Sequence, residues 1–424
     1  MHVMNTSRAE ELAAINPQDF KNRLPYLDWL RIIIVLMLIP FHTAMTFAPY
    51  PWFLQNNEFN LPLQGLIIAM DRFQMPLLFL VAGAAVFFSL GIRNWKSYSL
   101  ERILRLVVPL VFGMLVLVPP CYWVAAVNIY GYEGSLWSYY PRFWATSLIP
   151  SATPGAFKSG TLWFLWYLIL YTIVLSPLFI LIKRKISMES LSRLSRPFEN
   201  PLLILALFIP IAAVQIYSDN PVVGWVITRD FKVFYYAIFF IYGFFLFSAP
   251  GYIKGITRCG PAVTILGILM MIIFMLTVFP TLSSATLGTK FWSSIHVDPL
   301  IAGKYVVPAI STLCSWSCII ALLYLSIRFL NFSNRFVKYG NDAVLPYYIT
   351  HATAITLVGI WIVSLPWGVW PKYILNVLLA FLATMLFYEL MKRTNVTRFL
   401  MGMRLNKMPE VKPSQIKNLE VENG

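Results

Sequence analysis

Long runs of apolar residues alternate with short polar segments along most of the chain. A helix that crosses the hydrocarbon core of a bilayer needs about 20 mostly apolar residues. Ten segments meet or approach this length, and the fourth to eighth contain no Asp, Glu, Lys or Arg. The pattern therefore predicts an all-α fold, a polytopic transmembrane helix bundle of about ten spans. The predicted spans are 27–47, 68–90, 103–125, 161–182, 200–217, 233–248, 261–280, 305–327, 343–364 and 373–391.

The composition supports a membrane protein. Hydrophobic residues make up 58% of the 424 residues and charged residues 12%, whereas about a quarter of a soluble domain is charged. No polar segment is long enough to fold alone, so we expect one membrane domain at 27–392 between two tails at 1–26 and 393–424. The first apolar run follows a charged tail, and we expect it to remain as an anchor rather than a cleaved signal.

The basic residues predict the orientation. With ten spans, 25 of the 33 Lys and Arg residues fall on the side of the two tails, seven fall on the other side, and Arg72 lies within a span. The side rich in basic residues is cytoplasmic by the positive-inside rule, which predicts that both termini are cytoplasmic. The net charge of +15 does not indicate a nucleic-acid partner, because the basic residues lie at the ends of apolar runs. The four cysteines lack the spacing of a metal site.

Three ionisable residues lie on one face of the first span. Asp28, Arg31 and His42 are separated by steps of 3 and 11 residues, which places them on one helical stripe with Arg31 and His42 about 16 Å apart along the axis. Ionisable groups inside spans are costly and often functional. The alternative for Arg31 is that it snorkels to the inner interface and pairs with Asp28. Pro40 is expected to bend the helix just before His42.

Other candidates occur singly or in pairs. Arg102 and Arg105 share a helix face and suit a phosphate group, although two arginines at the start of a span can also contact lipid headgroups. Tyr348 and His351 lie one turn apart, with His351 about a third of the way into span nine from its inner end. Trp163 is most simply an aromatic-belt residue.

Two charged residues and one long connection occupy the predicted outer side. Asp71 and Arg72 fall at the outer end of span two, either as interface charges or as contacts for a substrate. The connection 126–160 is rich in Tyr, Trp, Gly and Pro, and loops of this length often have a role. It either covers an outward-facing site or lies on the membrane surface.

Several motifs follow one another along the chain: residues 23–31 (RLPYLDWLR) with 40–43 (PFHT), 74–83 (QMPLLFLVAG), 102–109 (RILRLVVP), 162–166 (LWFLW) and 346–351 (PYYITH). Together and in this order they resemble the membrane acyltransferase-3 family. Residues 39–42 (IPFH) are similar to those of family members that succinylate periplasmic glucans. In this chain Thr161 stands where those relatives are expected to have a histidine.

The resemblance implies an integral protein of the bacterial cytoplasmic (inner) membrane. Such an enzyme transfers an acyl group from cytoplasmic acyl-CoA, as succinyl-CoA or acetyl-CoA, to a hydroxyl of a periplasmic or cell-surface glycan such as a glucan. Acyl-CoA would be a co-substrate, with no bound cofactor and no metal. His42 would be the general base beside Arg31 and Asp28, Arg102 and Arg105 would bind the donor, and Tyr348 would be a candidate oxyanion donor.

Two alternatives remain open on the sequence. Transfer can be direct or can pass through an acyl-histidine. A transporter or flippase for a lipid-linked sugar or small anion would use the same buried arginine and histidine as ligands, although no internal repeat of the kind common in transporters is evident.

Overall fold

The structure is a computed structural model that describes residues 24–90, 95–145, 159–218, 232–283, 290 and 292–405. Within these residues every regular element is a helix, which confirms the predicted all-α polytopic bundle. The helices are α1 Pro25–Thr46, α2 Leu61–Asp71, α3 Gln74–Ser89, α4 Trp95–Phe112, α5 Val118–Tyr130, α6 Leu136–Ala145, α7 Trp163–Lys185, α8 Met188–Ser195, α9 Pro201–Ala206, α10 Phe208–Ser218, α11 Lys232–Leu246, α12 Pro250–Ser283, α13 Val307–Phe329, α14 Arg335–Val363, α15 Val369–Met391 and α16 Asn395–Leu400.

The predicted spans all fall on helices, but two of them differ from simple crossings. Among the described residues, eight helical stretches are long and apolar enough to cross a membrane. The fifth predicted span belongs to a pair, Met188–Glu199 and Pro201–Tyr217, that is bent by 97°. The sixth corresponds to α11, which has 15 residues. The count of ten spans therefore stays a prediction.

The second predicted span begins earlier than the sequence indicated. Helices α2 and α3 together form an apolar stretch from Leu61 to Ser89, interrupted at Arg72 and Phe73. Asp71 and Arg72 therefore lie at a break inside the stretch and not at its outer end. The sequence estimate differs here because it began the span at residue 68, whereas the helix that contains Asp71 begins at Leu61.

Helices α3 and α11 pack at backbone distance. A Cβ atom added at Gly83 would lie 1.9 Å from the carbonyl oxygen of Phe240, and one added at Gly243 would lie 1.9 Å from that of Leu80. Small residues permit this close approach between membrane helices. Helix α14 in turn contacts α1, α5 and α15.

The bundle has two chemically different ends. At the arginine end, which we define by Arg31 and Arg105, the indole of Trp29 on α1 donates to the carbonyl of Phe332 just before α14 at 3.0 Å. At the opposite end, which we call the aromatic end and define by Trp52 and Phe53, the loop 47–60 meets the ends of α5 and α14. Its Gln55 amide donates to Asn128 at 2.9 Å. The N-terminal halves of α1 and α14 thus lie at the arginine end.

Candidate functional site

Two histidine rings meet inside the bundle. The rings of His42 on α1 and His351 on α14 have their centroids 4.9 Å apart, and both side chains are buried. Sequence reasoning placed His351 nearer the inner end, which is wrong because α14 begins at Arg335 rather than at 343. The additional turns bring His351 past the middle of its helix and level with His42.

The hydrogen bonds of the two rings define their tautomers. The Nδ1 atom of His42 lies 3.0 Å from the carbonyl oxygen of Leu38, and the Nδ1 atom of His351 contacts that of Tyr348. A carbonyl oxygen only accepts, so each Nδ1 carries the proton and each Nε2 keeps a lone pair. The Nε2 of His351 has no hydrogen-bond partner among the described residues. The pair therefore presents two basic nitrogens that can take up a proton or act as nucleophiles.

An aromatic residue of the loop 47–60 covers the histidine pair. Trp52 stacks on His42 with centroids 4.8 Å apart and planes inclined by 30°. Its loop is fixed to α1 because the Asn56 amide donates to the carbonyl of Thr46 at 2.9 Å. The amine of Lys372 also donates to the Asn56 side chain at 3.2 Å. The sequence analysis did not select Trp52. Its position in the short connection after span one was the only feature that could have indicated it.

An irregular turn lies beside His351. Residues Gly113–Leu117 between α4 and α5 form a π-helical turn, and Pro119 and Pro120 just beyond it lack the N–H groups that would bond preceding carbonyls. Two residues before Pro119, the carbonyl of Leu117 accepts from the hydroxyl of Thr353 at 2.8 Å. Such π turns often mark functional sites, and this one ties α5 to α14 near His351.

Tyr348 connects the histidine pair to the start of α7. Its hydroxyl donates to the carbonyl of Thr161, and its ring lies 5.8 Å from that of His351. The hydroxyl hydrogen expected to serve an oxyanion is thus donated to a backbone acceptor, and the visible role of Tyr348 is to position Thr161.

Pro40 lies inside α1, just before His42, and the helix continues through it to Thr46.

Arg31 links two helices at the arginine end. Its guanidinium lies 3.6 Å from the carboxylate of Asp28 and donates to the side-chain oxygen of Asn341 on α14. The predicted pairing with Asp28 is therefore present, and Asn341 is a partner that sequence reasoning did not assign. The histidine pair lies about 16 Å farther along α1.

Arg105 contacts the segment that follows α15. Its Nε atom donates to the carbonyl of Gly402 at 3.2 Å, and Arg102 is half-buried one turn before it. A Cβ at Gly402 would lie 2.7 Å from the side chain of Leu345. Since Leu345 is one turn after Asn341, the contacts of Arg31 and Arg105 lie near the same end of α14.

The remaining candidates are held away from the pair by their own contacts. Trp163 is half-buried and packs on Tyr236 and Tyr167 with ring centroids 5.2 and 5.3 Å apart, so it belongs to an aromatic cluster between α7 and α11. Arg72 pairs with Asp71 and donates to Ser311 on α13 at 2.7 Å. Among the described residues no three His, Cys, Asp or Glu side chains come together as metal ligands.

Together these features define a multi-pass membrane protein with a buried imidazole pair and arginines at one end of the bundle. A family model described as an acyltransferase domain matches residues 24–389, and the chain belongs to this acyltransferase-3 family. It is therefore a membrane acyltransferase. No curated protein and no solved structure matches the chain.

Proposed function

We propose that the protein is an O-acyltransferase that moves a succinyl or acetyl group from cytoplasmic acyl-CoA to a hydroxyl of a periplasmic or cell-surface glycan. The observation that carries the proposal is the pair of Nε2 lone pairs on His42 and His351, buried in the bundle and about 16 Å from Arg31. Within the family, residues 39–42 resemble glucan biosynthesis protein C, which supports succinyl-CoA as donor and a glucan as acceptor.

The donor enters from the arginine end. The CoA phosphates are too highly charged for lipid, and the guanidinium groups of Arg102 and Arg105 provide bidentate partners for them. The pantetheine arm then extends along α1 past Arg31 toward His42. The asymmetry of Lys and Arg supports a cytoplasmic location for this end, on the side of a bacterial inner membrane where acyl-CoA is found.

The chemistry takes place at the histidine pair. The Nε2 atom of His42 removes the proton from the sugar hydroxyl while its oxygen attacks the thioester carbonyl. A carbon–oxygen bond forms, the carbon–sulfur bond breaks, and the proton passes from His42 to the departing CoA thiolate. In the other variant, the Nε2 atom of His42 attacks the thioester carbonyl, the carbon–sulfur bond breaks and CoA leaves as its thiolate. The sugar hydroxyl then attacks the acyl carbon, the carbon–nitrogen bond breaks, and the hydroxyl proton passes through the Nε2 atom of His351 to the thiolate.

A transfer assay with a matched histidine control tests the proposal. Purified protein receives radiolabelled succinyl-CoA or acetyl-CoA and a soluble glucan, and covalent label on the glucan is measured. We expect His42→Asn to lower the transfer rate roughly 10² to 10⁴-fold, the usual contribution of a general base. His296→Asn is the control, because His296 is exposed in a loop with φ of 58° that Asn tolerates.

Two outcomes would contradict the proposal. Full transfer by the His42→Asn variant would remove His42 from the chemistry. Movement of a labelled sugar across vesicles containing the wild-type protein, with no covalent change, would favour a transporter or flippase.

A further inference from the structure

A cleft opens at the aromatic end of the bundle, apart from the histidine pair. It has a volume of about 480 Å³ and lies between the end of α5 and helix α6. The residues that give it chemical character are Tyr130, Tyr132, Glu133, Tyr139 and Arg142.

The walls of the cleft are fixed by local hydrogen bonds. Helix α5 ends at Gly131 in the left-handed region with φ of 67°, and the Tyr132 amide donates back to the carbonyl of Ala126 at 2.9 Å, a common helix termination. The indole of Trp123 donates to the carbonyl of Gly134 at 3.0 Å. These bonds hold the turn after α5 in place, so the cleft does not need a ligand to form.

The lining suits a carbohydrate. Tyrosine rings offer apolar faces to the C–H faces of sugars, and polar groups beside them orient the hydroxyls. Tyr132 and Tyr139 lie with ring centroids 5.5 Å apart, and the Arg142 guanidinium lies 5.2 Å from the Tyr132 ring. Burial, with Tyr132 and Tyr130 nearby, raises the pKa of Tyr139, so its hydroxyl remains protonated at neutral pH. Glu133 is exposed at the cleft and disfavours phosphate or anionic headgroups.

A row of aromatic contacts joins this region to the catalytic candidates. Tyr122 lies one helical turn before Ala126, a residue of the cleft, and its ring centroid is 5.0 Å from that of Phe53. Phe53 contacts Trp52 at 4.9 Å, and Trp52 contacts His42 at 4.8 Å. The row comprises three successive centroid separations of 5.0, 4.9 and 4.8 Å, a path longer than one sugar ring, so an acceptor that follows it from the cleft to His42 must be an oligosaccharide.

We propose that the cleft is a distal acceptor subsite, which binds a carbohydrate chain several sugar units away from the hydroxyl that is acylated. This inference rests on the proposed function, because it assumes that the acceptor reaches His42 from the aromatic end. Binding at a distance from the reacting hydroxyl raises the occupancy of long acceptors without changing the chemical step.

Acceptor length is the variable that tests the subsite. Tyr130 is 58% exposed, so Tyr130→Ala removes a cleft ring without opening the core. We expect this variant to raise KM for a linear glucan oligosaccharide about three- to tenfold, in line with the value of an aromatic contact. KM for glucose, KM for acyl-CoA and kcat should stay at the wild-type values. Glu133→Gln should also raise KM for the oligosaccharide.

Trp137→Ala is the matched control. Trp137 is 80% exposed on α6, so the variant removes an aromatic side chain of the same segment that does not line the cleft. An unchanged KM for the oligosaccharide in Tyr130→Ala would overturn the subsite. An equal rise in KM for the oligosaccharide and for glucose in this variant would also overturn it. Equal kinetic effects of Tyr130→Ala and Trp137→Ala would also overturn the subsite and would indicate that the aromatic residues of this segment act at the membrane surface instead.

A binding measurement separates this proposal from the reaction itself. Binding of the oligosaccharide to the protein without acyl-CoA is followed by tryptophan fluorescence, for wild type and Tyr130→Ala. Weaker binding by the variant supports the subsite even if wild-type protein transfers no label, a result that would contradict only the proposed function. Equal binding by both proteins contradicts the subsite.

Discussion

At the scale of single residues, the two histidines have the same tautomer but different surroundings. His42 is stacked by Trp52 from a loop, whereas His351 lies on α14, which Tyr348 connects to the start of α7. His42 was predictable as an ionisable group inside a span. Its partner was not, because the proximity of two residues 309 positions apart depends on where α14 begins. A hydropathy window starts a helix at its apolar residues and overlooks the polar turns before them.

The close contact of the rings predicts that they act as a unit. We expect His351→Asn to lower kcat at least tenfold with little change in KM for acyl-CoA, because the variant removes a basic nitrogen next to His42. The double variant with His42→Asn should be no slower than His42→Asn alone, as is found for residues that share one step. Initial rates of label transfer measure both effects. Losses that multiply in the double variant would show that the rings act independently.

The two partners of Arg31 predict a requirement for its planar guanidinium. Asp28 and Asn341 lie on different helices, and an ammonium group on a flexible stem holds such a pair less well. We expect Arg31→Lys to lower kcat/KM for acyl-CoA about tenfold and to leave KM for the glucan unchanged. Arg328→Lys is the control, since Arg328 bonds Tyr324 within its own helix at 2.8 Å. Equal effects of the two substitutions would assign Arg31 a general structural role.

At the scale of elements, hydropathy predicts which segments are helices, but it does not predict where the helices end or bend. The break at Arg72 and the bend between α8 and α9 depend on local turns and neighbouring contacts, which a window of about 20 residues averages away. The segment after α15 is a further example. Its polar composition does not indicate that Met401 and Met403 are buried or that Gly402 bonds Arg105.

Gly402 should be sensitive to substitution because its backbone fits closely against α4. It has φ of 65°, and a Cβ there would lie 2.6 Å from the carbonyl oxygen of Arg105. We expect Gly402→Ala to displace the segment, loosen Arg105 and raise KM for acyl-CoA severalfold. Gly131→Ala, with φ of 67° and nothing within 4 Å of its Cβ, controls for backbone strain alone. An equal KM for acyl-CoA in both variants would contradict a role for this contact in donor binding.

The crossing of α3 and α11 predicts a stability effect independent of the site. Gly83→Ala places a methyl group against a backbone carbonyl that cannot move without its helix, and overpacking of this kind costs about 1–3 kcal/mol or more. We expect a lower unfolding temperature in detergent. Gly65→Ala, which meets nothing within 4 Å, should keep or raise it because Ala favours helix. Equal unfolding temperatures of Gly83→Ala and wild type would show that the helices separate easily.

At the scale of the whole molecule, the proposed reaction requires that the two ends of the bundle face different compartments. In that proposal the arginine end meets acyl-CoA and the aromatic end meets the glycan. Charge counting predicts this orientation without the structure, and the structure adds that the contacts of Arg31 and Arg105 lie near the same end of α14. Hydropathy and charge patterns do not predict the cleft, because it arises from a turn and a short helix between spans.

Labelling of introduced cysteines from one side of the membrane tests the orientation. Cys121, Cys259 and Cys314 are buried and Cys318 is half-buried, so the native background should be low. Lys338 is exposed near the start of α14, and Trp137 is exposed on α6. A membrane-impermeant maleimide should label Trp137→Cys in intact cells and Lys338→Cys only after the inner membrane is opened. The reverse pattern would place the arginines opposite the acyl-CoA pool, and the aromatic end could not then be the entrance for an extracytoplasmic acceptor.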